Sequence, residues 1–144
     1  MDYDKINGYL VDIFNNVVII EEARLKNSKF NDISLKEMHT IDVIGTHPDT
    51  TPSAVARELM LTLGTVTTSL NKLEKKGYII RTRSSVDRRV VHLSLSKKGR
   101  LVYRLHRGFH KSMVMRITEG FNDEELKVMS KGLENLHAFL EELK

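Results

Sequence analysis

A chain of 144 residues with 40% hydrophobic content is long enough to bury a core, in one domain or two small lobes. It contains no cysteine, which excludes disulfides, thiolate nucleophiles and a cysteine redox switch. Net charge is only +4, yet thirteen of the 23 Lys and Arg and two of the 19 acids fall between Lys72 and Lys111. That stretch therefore carries +11 and the remainder −7, which favours an acidic partner, most commonly nucleic acid.

The opening Met1-Asp2-Tyr3-Asp4-Lys5 is acidic and mixed, unlike a signal peptide, and no apolar run reaches membrane-spanning length, so a cytoplasmic location is expected. From Asp4 to Lys26, apolar residues Ile6, Leu10, Ile13, Phe14, Val17 and Ile20 recur every three or four positions and predict an amphipathic helix. Val18 and Ile19 widen its stripe beyond one contact face, as in a helix that packs on its own domain and on a second subunit. Asn27 to Asp32 reads as a loop. Ser34-Leu35-Lys36-Glu37 then has the form of a capping box, with Glu37 expected to reach back to the helix start. Met38, Ile41 and either Val43 or Ile44 form the inner face of that second helix, and Gly45 is expected to end it.

Thr51-Pro52-Ser53 starts a third, short helix reaching about Met60, with threonine as cap and proline at the first helical position. Val55, Ala56 and Leu59 point inward. A turn of about four residues leads to a fourth helix, Leu63 to Lys76, capped by Thr62 and closed by Gly77. At about 100° per residue, Val66, Leu70 and Leu73 share one narrow sector. Gly64, Thr68, Asn71, Lys72 and Lys75 face the other way. Two helices so joined make a helix-turn-helix, whose second helix is placed to enter a major groove. Thr65, Thr67, Thr68 and Asn71 offer short polar groups to base edges there. Lys72 and Lys75, with Ser53 and Arg57 on the preceding helix, are candidates for phosphate.

Runs 78–83 and 90–95 are rich in β-branched residues and flank Ser84-Ser85-Val86-Asp87-Arg88-Arg89, giving a hairpin with a charged tip. Arg88 and Arg89 suit a narrow minor groove, and Asp87 is close enough to orient them or to bond within the turn. A fifth helix follows from Ser96 to about Glu119, apolar at Leu101, Leu105, Phe109 and Met113 and basic along Arg100, Arg104, Arg107 and Lys111. The sixth starts at the N-cap Asn122 with Glu125 three residues on. Its apolar positions Leu126, Met129, Leu133, Leu136, Leu140 and Leu143 alternate three and four apart, a seam suited to pairing with another helix.

Thr51-Pro52-Ser53, Leu63-Gly64-Thr65-Val66-Thr67, Leu73-Glu74-Lys75-Lys76-Gly77-Tyr78-Ile79, Asp87-Arg88-Arg89 and Leu95-Ser96-Lys97-Lys98-Gly99 together resemble the MarR family of winged helix-turn-helix repressors. The likeness spans nearly the whole chain. Segments 13–17 and 36–45 look most like the members that repress type II fatty acid synthesis genes in Gram-positive cocci. The resemblance implies a mainly α (α+β) fold in three parts: an N-terminal dimerisation helix in residues 1–33, a winged helix-turn-helix DNA-binding domain in 34–95, and C-terminal helices completing the dimerisation region in 96–144. It also implies a homodimer on a palindromic operator, no membrane partner, no cofactor, and long-chain acyl-acyl carrier protein as corepressor. Acyl carrier protein is acidic and the flank Arg104, Arg107, Lys111 is basic, while Phe14, Met38, Leu105 and Phe109 are candidates to line an acyl pocket or are simply core.

Three rival readings follow from the same residues. His106 and His110 are spaced for one metal ion and His39 lies on another helix, as in zinc-responsive members of the family, although the cysteine those sensors use is missing. An enzyme is disfavoured because no Ser-His-Asp elbow, HExxH, phosphate loop or glycine fingerprint occurs. A protein-interaction adaptor on the same fold is opposed by the threonine-rich helix face and the basic tip.

Overall fold

The computed structural model describes residues 2–144. In chain order the described residues form α1 (Tyr3–Lys26), α2 (Leu35–Thr46), α3 (Pro52–Leu59), α4 (Leu63–Lys75), β1 (Ile79–Arg83), β2 (Val91–Leu95), α5 (Lys97–Ile117) and α6 (Asp123–Glu142). The chain divides into two compact units, one ending at Tyr103 and the other Arg104–Lys144, so the boundary falls inside α5.

The core of the first unit is built by the periodicities of its sequence. Met38 and Ile41 of α2, Val55 of α3, and Val66, Leu70 and Leu73 of α4 are sealed from solvent with Tyr78 and Leu93. Each aliphatic side chain so buried contributes about 1.5–3 kcal/mol of transfer free energy. Val43 and Ile44 are both buried too. The strands pair antiparallel from Ile79↔Leu95 to Arg83↔Val91. Leu93 and Leu95 face the core while Ser94 between them faces out. The Leu93 amide also donates to the Thr50 carbonyl at 2.8 Å, which moors the hairpin to the loop between α2 and α3.

Caps bound the helices largely as the sequence predicts. Ser34 accepts from the Glu37 amide at 3.1 Å, Thr51 from Ala54 at 3.3 Å and Thr62 from Thr65 at 3.2 Å. Gly77 takes φ +85°, the left-handed residue that closes the turn after α4. Two local expectations fail. Glu37 does not complete a capping box; it is buried, and its carboxylate takes the Lys76 ammonium at 3.1 Å. Gly45 does not end α2, which runs on to Thr46. Its missing side chain makes room instead, since a Cβ there would lie 2.6 Å from the Tyr103 ring.

The end of α4 and the start of α5 are stapled to the loop after α1. The Tyr78 hydroxyl and the Lys76 ammonium both donate to Asp32, to its carboxylate and its carbonyl respectively. The Lys98 ammonium stands 4.3 Å over the Tyr78 ring. Ser96 accepts from the Gly99 amide at 3.1 Å and caps α5. Close packing here demands glycine, because a Cβ on Gly99 would fall 2.1 Å from the Tyr78 carbonyl oxygen.

On α1 only Glu21 is buried, and Ile6, Tyr9, Phe14 and Ile19 stand exposed. In the second unit α6 carries the full capping box the sequence suggests, Asn122 and Glu125 each accepting from the other's amide at 2.9 Å. None of its residues is buried. Leu133, Leu140 and Leu143 of the predicted seam are exposed, as are Val128 and Phe139 beside it. Among the described residues no helix is long and apolar enough to cross a membrane.

Candidate nucleic-acid interface

α3 and α4 are joined by Met60, Leu61 and Thr62, one residue fewer than expected. Met60 adopts φ +53°, and its amide donates to the Arg57 carbonyl at 3.2 Å, which closes α3. The tight turn fixes α4 against the core through Val66, Leu70 and Leu73. Gly64, Thr65, Thr67, Thr68, Asn71, Lys72 and Lys75 are all exposed, as the periodicity requires. Ser53 and Arg57 stand exposed on α3.

Several of these polar groups are already committed locally. The Thr62 and Thr65 hydroxyls lie 2.8 Å apart, and the Thr68 hydroxyl donates to the Gly64 carbonyl at 3.0 Å. Having given up its one hydrogen, Thr68 keeps only lone pairs to offer outward. The Asn71 amide oxygen accepts from Arg81 Nη2, and Arg81 Nε donates to Glu74 Oε2 at 3.2 Å. Arg81 was not singled out from the sequence, although strand alternation puts it on the same face of β1 as the buried Ile79. An arginine at such a position calls for partners.

The hairpin tip is held by side chains as well as backbone. Ser84 accepts from the amides of Val86 at 3.2 Å and Asp87 at 3.3 Å, and Val90 donates to the Asp87 carbonyl at 3.0 Å. Asp87 accepts from the Arg89 amide at 3.0 Å and from its Nε and Nη2 at 3.2 and 3.4 Å. The guanidinium first and the amide second hold the Asp87 carboxyl below its usual range. Arg83 donates to the Arg88 carbonyl at 3.0 Å, and the Arg88 side chain is exposed. Asp87 thus contacts both the side chain and the backbone of Arg89 and accepts a bond within the turn.

The residues proposed for effectors fall in contrasting environments. Met38 is sealed in the core of the first unit, so a ligand could touch it only by displacing core side chains, whereas Phe14 is 56% exposed on α1. In the second unit Leu105 is exposed and Phe109 is half-buried, its ring 5.8 Å from that of His110. The Nε2 atoms of His106 and His110 are 3.1 Å apart, and His39 Nε2 is 3.6 Å from Glu21 in the first unit. Arg104, Arg107 and Lys111 are exposed along α5.

Known proteins share this fold. The profile of the MarR family matches residues 33–91. The HTH-type transcriptional regulator PchR of Bacillus subtilis is 31% identical over 144 residues, covering 98% of this chain and 82% of its own length. The crystal structure of Streptococcus pneumoniae FabT in complex with DNA superposes with a TM-score of 0.90 at 66% identity, over 99% of this chain and all of that one. The Staphylococcus aureus MepR–DNA complex shares the fold, with a TM-score of 0.72 at 21% identity over 92% of this chain and 94% of that one.

Proposed function

The chain belongs to the MarR family of DNA-binding transcriptional regulators, and on that footing we propose that it is a repressor of fatty acid biosynthesis genes with long-chain acyl-acyl carrier protein as corepressor. It works as a homodimer on a palindromic operator. In each subunit Thr65, Thr67, Thr68 and Asn71 meet base edges in the major groove, Ser53, Arg57, Lys72 and Lys75 hold phosphate, and Arg88 or Arg89 enters the minor groove with Asp87 bracing the tip. The observation that carries the DNA reading is the exposed polar face of α4, fixed to the core by Val66, Leu70 and Leu73 beside an arginine-tipped hairpin. The fatty acid reading draws on the 66% identity to pneumococcal FabT along the full chain.

The protomer division follows the sequence: residues 1–33 and 96–144 pair the subunits and 34–95 read DNA. The exposed apolar residues of α1 and of α6 support this, since such surfaces are commonly covered by a partner. A corepressor acts only through its differential affinity for the binding-competent spacing of the two reading helices. Phe14, Leu105 and Phe109 are proposed to meet the acyl chain, with Met38 reached only if core side chains move aside, and Arg104, Arg107 and Lys111 to attract the acidic carrier.

Operator affinity measured with and without acyl-acyl carrier protein of defined chain length tests the reading. Tighter binding with the acylated carrier, and none with the unacylated one, is expected. An unchanged affinity at saturating carrier rejects corepression while leaving the DNA reading intact. A zinc response through His39, His106 and His110 is the alternative, supported by the 3.1 Å approach of the His106 and His110 nitrogens. It predicts that chelation changes operator affinity, whereas corepression by acyl carrier protein predicts no change.

A further inference from the structure

Resting on the placement of α4 in the major groove, we propose that Arg81, which lies outside the reading helix, is a positioning residue that fixes which hydrogen bonds Asn71 can offer a base. A guanidinium carries only donors, so the Asn71 atom that faces it must be the amide oxygen, however the amide would otherwise be turned. Glu74 receives Arg81 Nε at 3.2 Å, one turn further along the same helix. The arginine is thereby clamped between residues 71 and 74 and swings toward neither solvent nor phosphate. The Arg81 side chain is three-quarters buried, which strengthens these charge-assisted bonds.

The consequence is chemical. Asparagine grips adenine by pairing its oxygen with the N6 amine and its nitrogen with N7. With the oxygen turned to the hairpin strand, the amide presents its two N–H donors outward. Those suit an edge made of acceptors, which guanine supplies with N7 and O6. Asn71 therefore selects a G·C pair where an unconstrained asparagine would accept A·T. Thr68, one turn earlier, has the opposite polarity because its hydrogen goes to Gly64. The face reads as acceptor at 68 and donor at 71.

The test uses the full chain and the duplex it selects from a random pool, with every base pair substituted in turn. Comparing wild type with Asn71→Ala locates the pair that Asn71 reads. At that pair Arg81→Ala should shift preference from G·C toward A·T by about tenfold. Arg81→Lys, still a pure donor, should keep the wild-type preference. In the Asn71→Ala background Arg81→Ala should shift nothing. Glu74→Ala, which removes one jaw of the clamp, should move preference the same way to a smaller degree, and it serves if circular dichroism shows Arg81→Ala unfolded. Affinity lost equally for all four base pairs on Arg81→Ala would make the arginine a phosphate or packing group and overturn the proposal, while the Asn71 reading stands. If Asn71→Ala alters preference at no pair, the placement of α4 itself fails and takes this inference with it.

Discussion

Asn71 and Lys75 share an exposed helix face, but one offers directional hydrogen bonds and the other a charge. Replacing Asn71 by Ala should cost about 1–3 kcal/mol on the selected duplex and little on random DNA, as titrations on both will read. Equal losses on the two would rule out base reading there. Replacing Lys75 should weaken every duplex alike and reduce the slope of log affinity against log salt by about one; an unaltered slope means no phosphate contact. Tyr78 makes a different kind of prediction. Burial, then its hydrogen bond to Asp32, then the charges of Asp32 and Glu37, hold its phenol far above the usual range. Because the folded-state value is raised, the stability tied to the neutral phenol is complete below about pH 10 and is lost as pH climbs beyond it. Thermal midpoints should therefore fall on the alkaline side, and Tyr78→Phe should flatten that fall; a variant that falls as steeply as wild type contradicts the assignment.

At the scale of elements, what was legible in the sequence is what is local. The stripe Val66, Leu70, Leu73, the caps Ser34, Thr51, Thr62 and Asn122, and the alternation of Leu93 and Leu95 all report on neighbours within a few residues, and the structure bears each out. What was not legible depends on partners far along the chain. Glu37 leaves its expected box because Lys76, 39 positions away, reaches it inside the core edge, and a buried carboxylate favours a cation over a backbone amide. Gly45 reads as a stop but is a seat for Tyr103, and Arg81, which no local pattern singles out, joins Asn71 and Glu74. Two glycines separate folding from function. Gly99→Ala should destabilise the fold by about 1–3 kcal/mol, because the new methyl meets backbone that cannot yield. Gly64→Ala has open space, so it should stabilise α4 by up to about 1 kcal/mol yet weaken operator binding, since a groove-facing backbone loses its close approach. Melting curves and titrations on the two variants check this; undiminished DNA binding by Gly64→Ala would place position 64 away from the duplex.

For the whole molecule, charge and apolar surface are distributed in a way that one subunit alone does not explain. The stretch Lys72 to Lys111 concentrates the positive charge on the reading elements and α5. The apolar residues of α1 and α6 remain exposed in the single chain. The proposed two-fold pair of subunits would cover the apolar helices and set two reading helices about one DNA turn, near 34 Å, apart. The most direct measurement is selection from a random duplex pool by the purified protein, followed by sedimentation of the complex formed. The account predicts an enriched inverted repeat with half-sites about one helical turn apart, bound by two protein chains and preferred over bulk DNA by roughly a thousandfold or more. Recovery of no shared motif, or of a single half-site bound by one chain, would contradict it.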